Sequence, residues 1–461
     1  MNNDGTVGVI LAAGSGKRMV SNIPKVLHKI AGQPMIDHVI DAIGQIKLSN
    51  VYVIVGHMED EVRRHLQDRG VKCVTQRERK GTAHAVMQVR KHLRGYRGDV
   101  LVTCADTPLI RAETLKEIIK RRKMHHSACT VLTTVLDSPT GYGRIVRNRD
   151  QTVRKIVEDR DTNQYEEVIR EVNTGTYCFD CRQLLKALEK VSKDNAQGEY
   201  YLTDVVEIMW REKLEVEAMV ADDASEVIGV NSRRDLAKAE NYFRQRILNQ
   251  VMEQGVTVID PSTTFIDKMV RIAKDTVLYP YTIIRGKTVI GEGCTLGPSA
   301  HLLDATLGKN VSVEHSIVNQ ASLHDGARVG PFAFIRPGTE LGKDVRIGTF
   351  VEVTRSSVQA KTDVLHLSYV GDAEIGSQCS LGTGFVTVNS DGKLTHTTKV
   401  GKKVYVGSNC TLVAPVKIED GAHISANSLV GPGNPDSSDK GVRKGKSGVG
   451  KSRKSREKRS K

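Results

Sequence analysis

Apolar residues in the C-terminal half recur every six positions: Val329, Ile335, Leu341, Ile347 and Val353, and again Val400, Val406, Leu412, Ile418, Ile424 and Val430. Ile290, Leu296 and Leu302 begin the series earlier, and Gly often follows the apolar residue, as at Gly291, Gly342, Gly348, Gly376 and Gly407. A period of six fits neither a helix nor an alternating strand, and it does fit a solenoid of short parallel strands. The apolar residue of each hexad points inward and the small residue beside it permits a tight corner. The series breaks around Gln359–Tyr369 and around Val388–Lys399. Insertions in a solenoid leave the stack as loops, so both breaks are expected to protrude on a binding face.

The first half is patterned differently. Val7–Ala12, Val51–Val55, Val100–Cys104 and Thr130–Leu136 are β-rich apolar runs separated by helical or polar stretches. That alternation predicts an α/β domain with a largely parallel sheet covered by helices. From Asp235 to Gln254, Leu236, Ala239, Phe243, Ile247 and Val251 fall on one helical face, and Gly255 ends the helix. The expected organisation is therefore an α/β domain over 1–231, a linker helix over 232–254, a hexapeptide-repeat domain over 255–436 and a tail over 437–461.

Charge alters this picture only at the end of the chain. The net charge is +14, yet Lys440 to Lys461 holds eleven Lys or Arg and one Glu, leaving about +4 elsewhere. This Gly/Ser/Lys/Arg segment has almost nothing to bury and reads as disordered, with at most a nonspecific attraction for nucleic acid. No apolar run is long enough to span a bilayer and the N-terminus has no basic-then-apolar leader, so the expectation is a cytoplasmic protein without membrane insertion. The 8 cysteines are scattered, and Cys178-Phe-Asp-Cys181 is a lone pair, which argues for reduced thiols and against a zinc site.

Candidate chemistry begins at Leu11-Ala-Ala-Gly-Ser-Gly-Lys-Arg-Met19, directly after the first strand. Gly14 and Gly16 allow backbone N–H groups to converge on an anion, with Lys17 and Arg18 supplying charge. Leu11 stands where a Walker A loop needs Gly, and Met19 where the dinucleotide fingerprint needs its third Gly. Taken alone, such a turn is equally a structural one. Lys25 adds a second cation, Gln76 and Gly81-Thr82-Ala83-His84 a polar loop opening a helix, and Asp106 a carboxylate at a strand end where Mg²⁺ can sit beside phosphates. Gly141-Tyr-Gly-Arg144, Glu158, Asn173-Thr-Gly175 and Gly229-Val-Asn231 add groups suited to a sugar and a second metal ligand.

In order and spacing these motifs resemble the sugar-nucleotide pyrophosphorylases. With the hexads attached, the chain up to about Val430 resembles the bifunctional N-acetylglucosamine-1-phosphate uridyltransferase/glucosamine-1-phosphate acetyltransferase family. The resemblance implies a Rossmann-like nucleotidyltransferase domain, a left-handed parallel β-helix and a homotrimer. It implies that Leu11, Ala12, Ala13 and Gly14 lie against uridine, that Arg18 and Lys25 face phosphates catalytically, and that Gln76, Gly81 and Thr82 read the uracil. Gly143, Glu158 and Asn173 would contact the sugar, and Asp106 and Asn231 would hold Mg²⁺. The substrates implied are UTP, sugar 1-phosphates and acetyl-CoA. Three positions depart from the pattern: Arg79 replaces a glutamine, and Cys104-Ala105 replaces a Tyr-Gly pair.

Acetylating an amine requires a base and a thioester donor held nearby. His366, with Tyr369 three residues on, is the candidate, although a lone histidine is more often a structural residue. By resemblance His366 is the base, Arg336 and Tyr369 contact the sugar phosphate, and Asn389, Ser408 and Ala426 line the acetyl-CoA site. Other positions differ from the family: Thr354 and Thr395 replace lysines, Ser380 an asparagine, Ser390 a tyrosine and Thr383 a smaller residue. The expected function is synthesis of UDP-N-acetylglucosamine by acetyl transfer followed by uridylyl transfer. The alternative is a uridyltransferase whose solenoid serves assembly.

Overall fold

The computed structural model describes residues 5–432 and the backbone of Val442–Lys444. It forms two compact units, the first ending at Arg244 and the second beginning at Gln245. The boundary lies inside the long helix Arg233–Glu253, where Ala239, Ile247, Leu248 and Val251 are buried.

The first unit is built on a nine-stranded sheet. Thr6–Leu11 is central, flanked in parallel by Asn50–Val55 and Asp99–Cys104, with Lys72–Thr75 at one edge. Val9 and Ile10 are fully buried, one in each of the apolar cores that lie on the two faces of the sheet. The strands expected from the apolar runs are present to within a residue. The sheet is mixed rather than largely parallel, because Glu171–Asp180 runs antiparallel between Asp99–Cys104 and Cys129–Val135. Its pairing slips between Asn173 and Tyr177, where Gly175 has φ +80°. This bulge re-aims Asn173 instead of extending the ladder.

The second unit stacks three sheets of very short parallel strands in register, each strand pairing with the third one after it. Leu296, Val313, Ile347, Leu381, Val406 and Ile424 lie one above another and are at most 3% exposed. The glycine rule has a direct cause. A Cβ on Gly291 would lie 2.4 Å from the Gly308 carbonyl oxygen, and one on Gly376 2.3 Å from that of Gly401. Buried corner hydroxyls satisfy themselves on backbone: Thr276 donates to Gly291 O, Thr288 to Arg285 O and Thr362 to Gly376 O. All eight cysteines are free.

The first break in the hexads is not a protruding loop. Ile347 pairs with Val364 and Val364 with Leu381, so these coils are merely a residue shorter than three full hexads. The second break is an insertion, since Leu381 pairs with Val406 and the extra residues form a loop closed by a Ser390–Thr395 bridge. Val442–Lys444 pairs antiparallel with Ala422–Ile424, inside the segment expected to be a disordered tail; the rest of that tail lies outside the described residues.

Because each coil leans only on its neighbours, truncating one inward residue opens a cavity that the stack cannot close. Leu381→Ala is expected to cost about 2–5 kcal/mol in urea unfolding of the solenoid. Leu394→Ala, in the inserted loop at 64% exposure, is expected to stay within about 0.5 kcal/mol. Equal losses at the two positions would contradict the packing described.

Candidate active sites

The C-terminal ends of the parallel strands open onto two adjoining cavities. The first, about 470 Å³, is lined by Leu11 to Ser15, Lys17, Lys25, Gln76, Arg79, Gly81, Thr82, Cys104 and Asp106. The second, about 320 Å³, is lined by Arg18, Gly143, Glu158, Asn173, Thr203 and Asn231, among others. Leu11, Thr82, Cys104 and Asp106 border both. The residues expected to touch nucleotide line the first cavity and those expected to touch sugar the second, with Leu11 and Thr82 shared, and the two cavities meet at Asp106.

The loop after the first strand is shaped by its neighbours. Ala12 N–H donates to Ile54 O at 2.9 Å, which carries the strand's direction into the loop. Gly16 has φ +59°, and a Cβ there would lie 2.7 Å from Lys25 Cβ. Lys25 Nζ donates to Asp106 Oδ2 at 2.5 Å and to Asn231 Oδ1 at 3.1 Å. Asn231 is held by the start of the following helix, where Asp235 Oδ2 accepts from both the Asn231 and Ser232 amides. Val230 N–H donates to Asp106 O at 2.8 Å, closing the link between the two segments.

The base-side wall is held by Gln76 and by His84, the last residue of the polar loop read from the sequence. Gln76 is buried, and its Nε2 donates to Gly81 O at 3.1 Å and to His84 Nδ1 at 3.0 Å. That donor requires an unprotonated Nδ1, and His84 is held below the ordinary imidazole range, by burial first and then by Lys80. Gly81 has φ +109° and passes so close to Tyr200 that a Cβ would lie 2.4 Å from its carbonyl oxygen. Thr82 Oγ1 accepts from Leu202 N–H at 2.9 Å, tying this loop to the sugar-side wall.

In the second cavity Asn173 Nδ2 donates to Tyr177 OH at 2.7 Å and its Oδ1 accepts from Gly175 N–H at 3.2 Å. Glu158 accepts from Thr203 Oγ1 at 3.0 Å, and burial pushes its carboxyl above the ordinary range. Tyr142, Tyr177 and Thr203 are further members that sequence reasoning missed. Tyr142 sits inside a motif picked for its glycines, while Tyr177 and Thr203 carry no local signal. Cys104 also faces this space, and burial followed by Asp106 pushes its thiol far up, leaving it a poor nucleophile.

Asp106 and Asn231 fit a hard cation in one respect that the structure displays: their oxygens already converge on a single positive atom. Among the described residues no group of three or more His, Cys, Asp or Glu side chains is placed to hold a metal. A metal here would take oxygen donors from these two residues.

On the solenoid, His366 is exposed and its Nδ1 accepts from the Thr349 amide at 3.0 Å. The neutral ring therefore carries its proton on Nε2. Gly348 makes room for the ring, since a Cβ there would lie 2.9 Å from Nδ1. A Cβ on Gly371 would lie 2.5 Å from Tyr369 OH and 2.8 Å from Asn389 Nδ2, so these two side chains meet over one glycine. Asn389 also donates to Asp372, which receives both Arg355 Nε and Nη2 at 2.7 Å. Arg355, and to a lesser extent Asn389, hold the Asp372 carboxyl below its ordinary range. Arg336 donates to Glu352 at 2.7 Å, so the expected phosphate-binding arginine rests on a carboxylate. Ser408 and Ala426 stack one coil apart, with Asn427 N–H donating to Ser408 O at 2.9 Å.

The departures have visible consequences. Thr354 is buried at 3% exposure, and the cation nearest to it in sequence, Arg355, faces Asp372 instead. Ser390 and Thr395 close the inserted loop on each other. Asp391 braces that loop by accepting from the Lys393 and Leu394 amides, both at 2.8 Å.

Comparison with known proteins agrees with both halves. The nucleotidyl transferase family model matches residues 7–244, and the bacterial transferase hexapeptide model matches residues 397–432. With the latter match the coil is the left-handed parallel β-helix of hexapeptide repeats. The "Bifunctional protein GlmU" of Geobacillus thermodenitrificans is 47% identical over 424 residues, covering 92% of each chain. Those of Shouchella clausii and Clostridium botulinum are 45% and 43% identical, each alignment covering at least 92% of this chain and 94% of the relative. With two cavities meeting at Asp106, a hexapeptide β-helix behind them in sequence, and similarity of this extent, the chain belongs to the GlmU family of bifunctional transferases.

Proposed function

We propose that the two cavities meeting at Asp106 are the uridylyl-transfer site and that the face around His366 is the acetyl-transfer site. As a GlmU-family enzyme the chain makes UDP-N-acetylglucosamine, by acetyl transfer from acetyl-CoA to glucosamine-1-phosphate and uridylyl transfer from UTP to N-acetylglucosamine-1-phosphate. The observation that carries the first assignment is the Lys25 ammonium lying between Asp106 and Asn231 on the boundary of the two cavities.

In uridylyl transfer a sugar-phosphate oxygen bonds to the α-phosphorus of UTP while the bond to the β-phosphate oxygen breaks and pyrophosphate leaves. Two anions must approach, so cations matter more than a base. Lys17 and Lys25 border the nucleotide cavity and Arg18 the sugar cavity, which surrounds the α-phosphate position with positive charge. With the Ala12 N–H already donated to Ile54 O, the backbone of Ala13 and Gly14 offers the N–H donors of this loop, Gly14 having no heavy atom within 4 Å of a Cβ position. Gln76, fixed by His84, presents its amide to the uracil; Gly143, Glu158 and Asn173 hold the sugar. Mg²⁺, held by Asp106 and Asn231, would supply charge neutralisation between the phosphates.

For acetyl transfer His366 takes the proton of the amine, with Tyr369 and Arg336 positioning the sugar phosphate and Asn389, Ser408 and Ala426 the coenzyme. Proton acceptance at Nε2 requires release of the Thr349 amide from Nδ1, because that bond selects the Nε2–H tautomer. Exposed Phe332, Phe350 and Leu367 form an apolar ladder beside His366, with the Phe332 and Phe350 rings stacked at 5.4 Å. This ladder supports a homotrimer in which a second copy covers the His366 face.

Asp106→Ala is expected to lower uridylyl transfer by about 10²-fold or more while thiol release from acetyl-CoA with glucosamine-1-phosphate persists. His366→Ala is expected to do the reverse, with a loss of about 10²–10⁴-fold in thiol release. Undiminished pyrophosphate release in the first variant, or undiminished thiol release in the second, overturns the corresponding site.

Asp204, which follows Thr203 of the sugar wall, also sets a pH dependence. Burial, then Glu158 and Glu207, push the Asp204 carboxyl from 3.8 up to about 6. Between those values the folded chain binds a proton that the unfolded chain releases, so this group's contribution makes stability fall as pH rises through the window. Asp204→Asn is expected to flatten the pH 4–6 slope in urea unfolding of the first unit and to stabilise it above pH 6. An unchanged slope would contradict this.

A further inference from the structure

The sheet edge of the first unit carries another concave surface, none of whose residues line the two cavities described above. The edge strand Lys72–Thr75, the helix Arg90–Leu93 and the helix Cys181–Leu188 enclose an open cleft of about 1140 Å³. Six cations line it against one carboxylate, Glu189. Two of the six are already committed. Arg90 pairs with Glu189, and Arg63 donates to Thr75 Oγ1 at 2.7 Å and to Cys73 O at 3.4 Å. The other four, Arg77, Lys91, Arg94 and Lys186, are exposed and make no side-chain hydrogen bond or ion pair among the described residues.

The positive field of this cleft is felt by its one imidazole. His92, stacked on Tyr52 at 5.1 Å, is held below its ordinary range by burial first and then by Lys91 and Lys72. Unpaired cations gathered from separate elements around a concavity repel one another unless an anion joins them. A single small anion cannot reach four side chains spread around so large a cleft. Apart from His92 the lining offers no aromatic ring for a base to stack on.

We propose that this cleft binds a chain of phosphates, recognised through charge and not through bases. The ligand is either an inorganic polyphosphate or the backbone of a single-stranded nucleic acid, and it occupies the edge-strand cleft while the catalytic cavities take nucleotide and sugar. Arg77, Lys91 and Arg94 are its main contacts, with Lys186 contributed by the helix Cys181–Leu188.

The test uses the full chain and Arg77→Ala/Lys91→Ala/Arg94→Ala, with fluorescent oligothymidylate as probe and inorganic tripolyphosphate as competitor. The unmodified chain is expected to bind the probe with an affinity that falls as salt rises. The triple variant should bind at least about tenfold more weakly, with a salt slope smaller by about 2–3. Its uridylyl transfer and circular dichroism should be unchanged, since none of the three residues borders the catalytic cavities. Competition by tripolyphosphate would identify a short phosphate chain, and variant-sensitive binding without competition an extended nucleic-acid backbone. An unmodified chain that does not bind, or a triple variant with unaltered affinity and salt slope, overturns the proposal.

Discussion

The nucleotidyl half is organised around one ammonium. Lys25 Nζ contacts Asp106 Oδ2 and Asn231 Oδ1, and so draws together the glycine-rich loop, the end of a central strand and the segment leading into the Arg233–Glu253 helix. The Lys25 and Asp106 side chains are only 10% and 21% exposed, so leaving the carboxylate there without a cation would carry a desolvation cost. Gly16 allows the approach, and the Asp235 cap keeps Asn231 in place. In the proposed reaction the same two oxygens serve the metal. A divalent ion held by Asp106 and Asn231 would supply charge neutralisation there, and Lys25, no longer bonded to that carboxylate, would be free to face the phosphates.

The solenoid solves a different problem. It has no central sheet, and its strands are held by stacking in register, with inward apolar residues, corner hydroxyls bonded to backbone and glycines where coils touch. Such a stack tolerates variation on its outer surface, because outward residues do not set the register. Ser380, Ser390 and Thr395 are variation of that kind, whereas Thr354 is buried, and the Arg355–Asp372–Asn389 chain is what this sequence builds beside it.

The hexads were legible because burial at a fixed period leaves an unambiguous mark, and the parallel strands because they are continuous apolar runs. Glu171–Asp180 was not legible. Its Asn173-Thr-Gly175 reads as a turn, and only the bulge against Cys129–Val135 shows how a strand accommodates it. The break at Gln359–Tyr369 looked like an insertion because losing one residue and gaining several both erase a period. Among site residues, the glycines and Asp106 announced themselves by position after strands. Tyr177 and Thr203 act through contacts to Asn173 and Glu158 that are distant or unmarked in sequence.

If Asp106 and Asn231 hold the metal as proposed, Lys25 and a divalent ion would compete for the same two oxygens. Manganese binding followed by electron paramagnetic resonance in the unmodified chain and in Lys25→Met tests it without reliance on turnover. Removing the ammonium is expected to tighten manganese binding about tenfold, as a like charge leaves the site. Binding that is unchanged or weaker in Lys25→Met would contradict the account.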